Sequence, residues 1–356
     1  MNLKINHRLG VTDVKYFNSF SLNLKYDSMA STFAFDLYFD PKNREHAEMA
    51  CVSHFHEAIV EHNGETLITG YILSQIFKNS AKKQLAQFGG YSLPGVFEDC
   101  EIPTTLYPLQ ADGLSLKQIA QKLIQPFKLK MVVDPSVESK MNSAIKKSTA
   151  SEGQNIKSYL TELAAQRDIV ITHDEQGRIV FTKAKTDLKP LFHIEQGVVL
   201  GTEISLSFNG QQMHSHITVQ KQANSDGGNA GEYTIANPYC PIVYRPKVMS
   251  QTSGDDVTIE ETAKNALAAE LKNIVLTITT DRWEVDGKIL KPNNIITVTN
   301  PEIFIYKKTE WFIESISFTG DTKKTTAILT CVLPEVYNGK TPKNIFVDPH
   351  QNLPRF

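Results

Sequence analysis

The middle of the chain repeats itself. Gly113 lies forty positions before Gly153, and at the same offset Leu116 meets Ile156, Lys117 meets Lys157, Ile119 meets Tyr159 and Leu123 meets Leu163. The run Leu129-Lys130-Met131-Val132-Val133-Asp134 aligns in the same way with Ile169-Val170-Ile171-Thr172-His173-Asp174. In the first copy Leu116, Ile119, Ala120, Leu123 and Ile124 fall on one face of a helix. Ser115 and Gln118 have the spacing of a capping box, and Pro126 closes the segment. A helix followed by a short strand, twice over, predicts one or two small α/β modules across residues 106–184, with the internal repeat at 113–134 and 153–174. Two copies are too few for a solenoid, which needs about three to bury its faces. The flanking segments must therefore fold on other principles.

Those flanks read as β-structure. Phe20, Leu22 and Leu24 alternate, and after a turn at Asp27-Ser28 the alternation resumes at Phe33, Phe35, Leu37 and Phe39. Period-two patterning of this kind places one row of side chains on a core. Ala58-Ile59-Val60 and Thr66–Ile72 flank Asn63-Gly64, the turn pair that tolerates the positive φ values of a tight hairpin. A short helix is expected near Lys42–Met49. Beyond Pro190, strands are predicted at Val198–Leu200, Ile204–Phe208, Ile217–Gln220, Ile295–Thr299, Trp311–Phe318 and Thr325–Val332, the last two joined across Thr319-Gly320-Asp321. Thr258 and Glu261 open a long helix that runs into the β-pattern Val275–Thr279. The glycine-rich stretch Asn224–Gly231 reads as an exposed loop, and the segment from Pro334 onward as a tail or arm. The expected fold class is α+β and β-rich. Its expected divisions are 1–105, 106–184, 185–335 and 336–356.

Bulk properties remove several function classes. The 356 residues carry 37 basic and 39 acidic side chains with no long run of one sign, which argues against an electrostatic grip on nucleic acid. No stretch approaches the roughly 18 consecutive apolar residues of a membrane-spanning helix. Met1–Asn6 lacks the layout of a signal peptide, so assembly in a cytoplasm is expected. Cys51, Cys100, Cys240 and Cys331 show neither a CxxC spacing nor a disulfide framework and are expected to be buried thiols.

Four constellations could carry chemistry. His54-Phe55-His56 and His214-Ser215-His216 would each put two imidazoles on one face of a strand, but no third or fourth metal ligand is evident. Ser143-Ala144-Ile145-Lys146 matches the S-x-x-K pattern of penicillin-recognising enzymes, with Ser225-Asp226-Gly227 as a faint second motif. Lys340-Thr341 is followed by Pro342 where that family has glycine. Glu98, Asp99 and Glu101 could be imagined as a glycosidase pair, although two carboxylates so close in sequence are more simply solvated side chains. Gly89-Gly90-Tyr91-Ser92-Leu93-Pro94-Gly95 lacks a phosphate-loop spacing and reads as a turn between strands. No catalytic, cofactor-binding or metal site is therefore expected, and no cofactor.

One stretch is distinctive. Gly90-Tyr91-Ser92-Leu93-Pro94-Gly95-Val96-Phe97-Glu98-Asp99-Cys100-Glu101-Ile102-Pro103, continuing to Tyr107-Pro108-Leu109, resembles the start of the middle region of Mu-type phage tail baseplate hub proteins, the 43 kDa tail protein family related to the T4 hub. The order of later segments is similar as well: Tyr159–Arg167, Asp174–Phe181, Lys291-Pro292-Asn293-Asn294 and Leu333-Pro334-Glu335 before Tyr337. The chain departs from the family at Ala164-Ala165-Gln166-Arg167, where many relatives have Leu-Ala-Arg after a charged residue. The resemblance implies a non-enzymatic structural protein of the virion tail. It further implies two related β-barrel domains per chain and a homotrimer whose six barrels form a ring of pseudo-sixfold symmetry. That ring joins the tail tube to a central spike protein. A cell-wall hydrolase, a glycan-binding tail protein and the hub of a related contractile injection system are the alternatives.

Overall fold

The computed structural model describes residues 1–79, 84–107, 109, 112–145, 148–195, 203–221, 231–251 and 258–347. The chain divides into two compact units. The first comprises Met1–Lys183 with Ser317–Ala327, and the second comprises Ala184–Ile316 with Ile328–Phe356.

The first unit is built on an antiparallel sheet of β1 (Asn2–His7), β2 (Gly10–Val14), β3 (Ser19–Lys25), β4 (Thr32–Tyr38), β5 (Glu57–His62), β6 (Glu65–Asn79) and β7 (Gln84–Ser92). The spatial order is β3-β4-β7-β6-β5-β1-β2, with β2 at the edge. Phe20, Leu22 and Leu24 of β3 and Phe33, Phe35 and Leu37 of β4 are buried, the row that their alternation requires. The Phe17 and Phe20 rings each lie within 6 Å of Phe35. Gly90 sits inside β7, where a Cβ would lie 1.8 Å from the Tyr71 carbonyl oxygen. The expectation of a turn over 89–95 is thus corrected: Gly89 and Gly90 are strand residues that let β6 approach closely. Only Leu93–Gly95 turn, and the short helix α2 (Val96–Asp99) follows at once. Helix α1 (Arg44–Met49) occupies the predicted place between β4 and β5, capped by Asn43.

The repeated segment forms α3 (Leu116–Ile124), β8 (Met131–Val133), α4 (Glu138–Asn142), α5 (Ile156–Ala165), β9 (Val170–His173) and β10 (Ile179–Thr182). Equivalent positions adopt equivalent conformations. Gly113 and Gly153 have φ of 75° and 70°, Lys128 and Asp168 have φ of 57° and 54°, and Ser115 and Asn155 cap α3 and α5. The two copies are exchanged rather than stacked. Helix α2 packs on α5 and α4 on α3. Glu101, ahead of the first helix, bridges to the cap of the second, and Ala144, ahead of the second, bridges to the cap of the first. Ile102 N donates to Gln154 O (3.0 Å) as Ile145 N donates to Leu114 O (2.8 Å). Strand β10 lies between β8 and β9, parallel to the first and antiparallel to the second, so the two repeated strands oppose each other as an approximate two-fold axis through β10 demands. One core unites both copies: Leu116, Ile119, Leu123, Ile156, Tyr159 and Leu163 are all buried in it. Burying a leucine or isoleucine fully contributes about 1.5–3 kcal/mol, so neither half is stable without the other.

The second unit contains β11 (His193–Glu195), β12 (Glu203–Phe208), β13 (His216–Lys221), β14 (Glu232–Ala236), β15 (Pro246–Gln251), α6 (Ile259–Leu271), β16 (Ile274–Thr280), β17 (Glu284–Val285), β18 (Lys288–Ile289), β19 (Ile295–Asn300), β20 (Ile305–Asp321), β21 (Thr325–Val332) and α7 (Glu335–Asn338). Strands β12, β16, β21 and β20 are neighbours in one sheet, with β19 and β11 extending from β20. A separate sheet, β14-β13-β15, is covered on one face by α6 through Ile217, Val219, Ile235, Ala263 and Leu267. Thr258 and Glu261 form the expected capping box. The β20–β21 turn falls at 322–324 rather than at 319–321, because the Asp321 carboxylate accepts the backbone N–H groups of Lys323 (2.7 Å) and Lys324 (2.8 Å) and carries the strand past Gly320. The segment after Pro334 is docked as far as residue 347. Tyr239 donates to Lys343 O (2.8 Å), Asn344 donates to Pro238 O (3.1 Å), and the Phe346 ring lies 5.9 Å from that of Phe208.

The fold is therefore β-rich α+β, but among the described residues the sheet ladders do not close into the two expected barrels. The strand expected at Val198–Leu200 and the loop expected at 224–230 lie outside the described residues.

Candidate functional site

The side chains that could have carried catalysis are engaged in holding the fold. The β3–β4 connection threads into the module of residues 95–183: Met29 is buried in the module core, and Tyr26 and Ser31 are buried beside it. Glu98, one of the imagined glycosidase carboxylates, closes this junction. Its Oε1 accepts from Ser28 Oγ (2.9 Å), Ala30 N (3.2 Å) and Lys157 Nζ (2.8 Å). Asp99 instead accepts from Tyr91 (2.8 Å), and Glu101 is exposed at the bridge to Asn155. A carboxylate filled by three donors is neither a free base nor a protonated acid. Burial, and after it the Asp27, Asp134 and Asp168 carboxylates, pushes the Tyr26 phenol far above its ordinary value. Burial and the Asp99 contact do the same for Tyr91.

His54 and His56 lie in the loop before β5 and not on a strand, with ring centroids 5.5 Å apart. His56 Nε2 donates to Glu48 O (3.0 Å). The His7 ring approaches to 6.2 Å, a neighbour 49 positions away that no local pattern announces. The second pair is split by its partners. The His214 ring meets Glu270 (2.7 Å), whereas His216, at the start of β13, meets Ser215 Oγ (3.0 Å). Glu270 on α6 also accepts from His214 N (2.8 Å) and Lys247 (3.3 Å), with its side chain only 5% exposed. Among the described residues no group of three or more His, Cys, Asp or Glu is placed to hold a metal ion.

Ser143 Oγ donates to Lys140 O (2.8 Å) at the end of α4. Lys146 and the motif 225–227 lie outside the described residues, and Lys340 pairs with Asp187 (3.3 Å). The expectation of buried cysteines is met only by Cys331, whose thiol burial raises far above its usual range; Cys51, Cys100 and Cys240 are half-buried because they stand at loop and helix ends. Among the described residues no helix is long and apolar enough to cross a membrane.

What the surface offers is apolar and extended. The edge strand β2 is flanked by exposed Leu9, Val11 and Tyr16, and the second unit exposes Ile242, Val243, Tyr244 and Val248. A shallow groove of about 400 Å³ runs beside α3, lined by Leu114, Gln118, Gln121, Lys122 and Gln125. Such surfaces suit protein contacts better than turnover of a small molecule.

Residues 95–183 match the sequence profile of the second domain of gp44-like baseplate hub proteins. The chain carries a baseplate hub domain. This gp44-like domain coincides with the exchanged double module. Over nearly the whole chain the fold is that of tail proteins. The 43 kDa tail protein of prophage MuSo2 from Shewanella oneidensis is 18% identical and superposes with a TM-score of 0.76, covering 95% of this chain and 99% of that one. A tail protein from Neisseria meningitidis MC58 is 17% identical, with a TM-score of 0.77 and coverage of 96% and 98%. The c3393 protein of E. coli, a component of the type VI secretion system, is 10% identical with a TM-score of 0.58, covering 98% of this chain and 80% of that one. No curated protein sequence matches. The matched proteins are structural tail and baseplate components, and the hub-domain chain stands with them and not with enzymes.

Proposed function

We propose that the chain is the baseplate hub of a phage or prophage tail. It would act as a homotrimer whose barrels make a ring of pseudo-sixfold symmetry between the tail tube and a central spike protein. In this reading residues 1–105 and 185–335 supply the two barrel domains, 106–184 the inserted modules and 336–356 a tail. The observation that carries the reading is the hub-domain match at 95–183 inside a chain whose whole length follows the fold of a 43 kDa tail protein. The engaged state of Glu98, Asp99, His214 and Ser143 supports it, since a hub acts through interface area and symmetry and needs no free nucleophile or base. The assembled tail would be the protein's place in the virion, with assembly in the host cytoplasm.

Sedimentation of the purified chain at micromolar concentration, followed by projection imaging, tests this. A threefold particle with a central hole is the expected result. A stable monomer at that concentration removes the ring. The fold shared with the type VI component sustains one alternative, the hub of a related contractile injection machine, with the same trimeric expectation.

A further inference from the structure

The connection from Ala50 to His56, between α1 and β5, holds two non-glycine residues in the left-handed region: Ser53 at φ 70° and Phe55 at φ 47°. An L-residue in that region is disfavoured by about 1–2 kcal/mol, and a bulky aromatic there is a true outlier. Apolar burial does not offset the strain, because Val52 and Phe55 point outward with 62% and 57% of their surface exposed. Strained residues persist only where their surroundings over-determine them.

Here the surroundings are imidazoles. His56 Nε2 donates to Glu48 O (3.0 Å), and His54 Nε2 lies 3.5 Å from Cys51 Sγ. The His54 ring stands 5.5 Å and the His7 ring 6.2 Å from that of His56, both edge-on. The His7 tautomer follows from its partners. Thr12 spends its hydroxyl proton on Glu45 (2.8 Å), so His7 Nε2 donates to Thr12 Oγ1 (2.7 Å), while His7 Nδ1 accepts from Leu9 N (3.3 Å). A proton added to Nδ1 would set N–H against N–H at Leu9 and would place positive charge about 6 Å from His56, a costly separation away from bulk water.

We propose that His7, His54 and His56 form an acid-operated latch on the Ala50–His56 loop. When the three rings are neutral the loop is held in its strained form with Val52 and Phe55 displayed. When they are charged the loop is released and the display is lost.

The neighbouring charges leave this balance intact. On α1, Glu48 attracts His56 but is paired with Arg8 (3.1 Å), Glu45 is taken by Thr12, and His46 Nδ1 accepts from Asp40 N (3.2 Å). Beyond β2, Asp13 pairs with Lys15 (3.5 Å), and on β5 Glu57 accepts from Asn6 (2.8 Å). Across the sheet from Glu57 lies Tyr71, whose phenol burial raises. Burial is the main cause holding His56 below the ordinary histidine value of 6.5; the hydrogen bond to Glu48 O opposes it, and His54 and His7 reinforce it. The released loop therefore binds more protons than the held one, and release is favoured as pH falls below that value.

Hydrogen exchange on the full chain, corrected for the intrinsic pH dependence of amide exchange, tests the latch. Between about pH 7.5 and pH 5, amides 51–56 should lose protection by on the order of tenfold, the equivalent of one pKa unit. The β3–β4 ladder should stay unchanged. His54→Gln and His7→Gln, which leave the His56 bond to Glu48 in place, should each blunt the response, and the double variant should abolish it. Equal protection at both pH values in the wild-type chain overturns the proposal. So does a full response in the double variant.

Discussion

His173 Nε2 on β9 lies 2.7 Å from the hydroxyl of Ser31, at the end of the β3–β4 connection and 142 residues away in sequence. The other ring nitrogen lies 3.0 Å from the Asp174 carbonyl, which can only accept, so Nδ1 carries the proton and Ser31 donates to Nε2. Ser31 Oγ in turn accepts Lys25 N (3.0 Å). Within the first unit this neutral imidazole fastens the hub-domain module to the sheet.

The first unit should lose stability in mild acid for that reason. Burial is the main cause that lowers the His173 pKa below the 6.5 of an ordinary histidine, so between those two values the unfolded chain binds the proton and the folded chain does not. Stability attributable to this histidine is complete above about pH 6.5 and falls as pH drops through the window down to its lowered folded value. Thermal unfolding followed from about pH 8 to pH 5 should show Tm falling across that window. His173→Gln, which cannot titrate, should flatten the slope. A slope unchanged in the variant would remove His173 as its source.

Glu98 separates a structural reading from a catalytic one. With Ser28, Ala30 and Lys157 all directed at one carboxylate oxygen, Glu98→Ala leaves an inward-facing N–H and a hydroxyl without their acceptor. The expected loss is about 1–3 kcal/mol in chemical denaturation. Zymograms on peptidoglycan should show no clearing by either wild type or variant. Clearing by the wild type that vanishes in the variant would restore the hydrolase.

Much of the fold is legible in the amino-acid sequence. The alternation of Phe20, Leu22 and Leu24, the Ser115–Gln118 and Thr258–Glu261 boxes and the Asn63-Gly64 turn are local codes, each written within a few residues, and the chain folds locally as they say. The forty-residue offset likewise aligns Gly113 with Gly153. It cannot show that α2 crosses to α5 and α4 to α3, because an exchanged and a stacked pair bury the same apolar positions. The junction residues are illegible for a related reason. Ser31, His173 and Glu98 carry no periodic signal, and only the three-dimensional path of the β3–β4 connection brings them together. The glycines of β7 mislead because close strand approach and turn formation call for the same residue.

Glu270 should prove the stability anchor of the second unit. Its enclosed carboxylate receives the His214 backbone and ring nitrogens and Lys247, tying α6 to β15 and to the entry of β13. Removing one partner of a buried ionic group is strongly destabilising, by about 3–5 kcal/mol. Glu270→Ala should approach that range in urea unfolding. Glu270→Gln keeps an acceptor for His214 N and should cost distinctly less. Equal losses would mean that the charge, and not the hydrogen bond to the backbone, is what the network needs.

The last prediction concerns assembly. Strand β2 ends the first unit's sheet, pairing with β1 on one side through Leu3–Val14, Ile5–Thr12 and His7–Gly10 and presenting its other side unpaired within the chain. A five-residue edge flanked by exposed Leu9, Val11 and Tyr16 and lacking proline is not protected against pairing with another chain. In a monomer such an edge invites aggregation; in a ring it is a place where neighbouring subunits add strand to strand. Val11→Lys puts a charge on that edge without touching the core, so it should leave Tm nearly unchanged while shifting sedimentation from trimer towards monomer. Thr12→Pro would be a poor probe, because Thr12 also bonds His7 and Glu45. A Val11→Lys chain that still sediments as a trimer would show that β2 faces solvent in the assembly, and the subunit contact would then fall to the exposed Ile242–Tyr244 surface of the second unit.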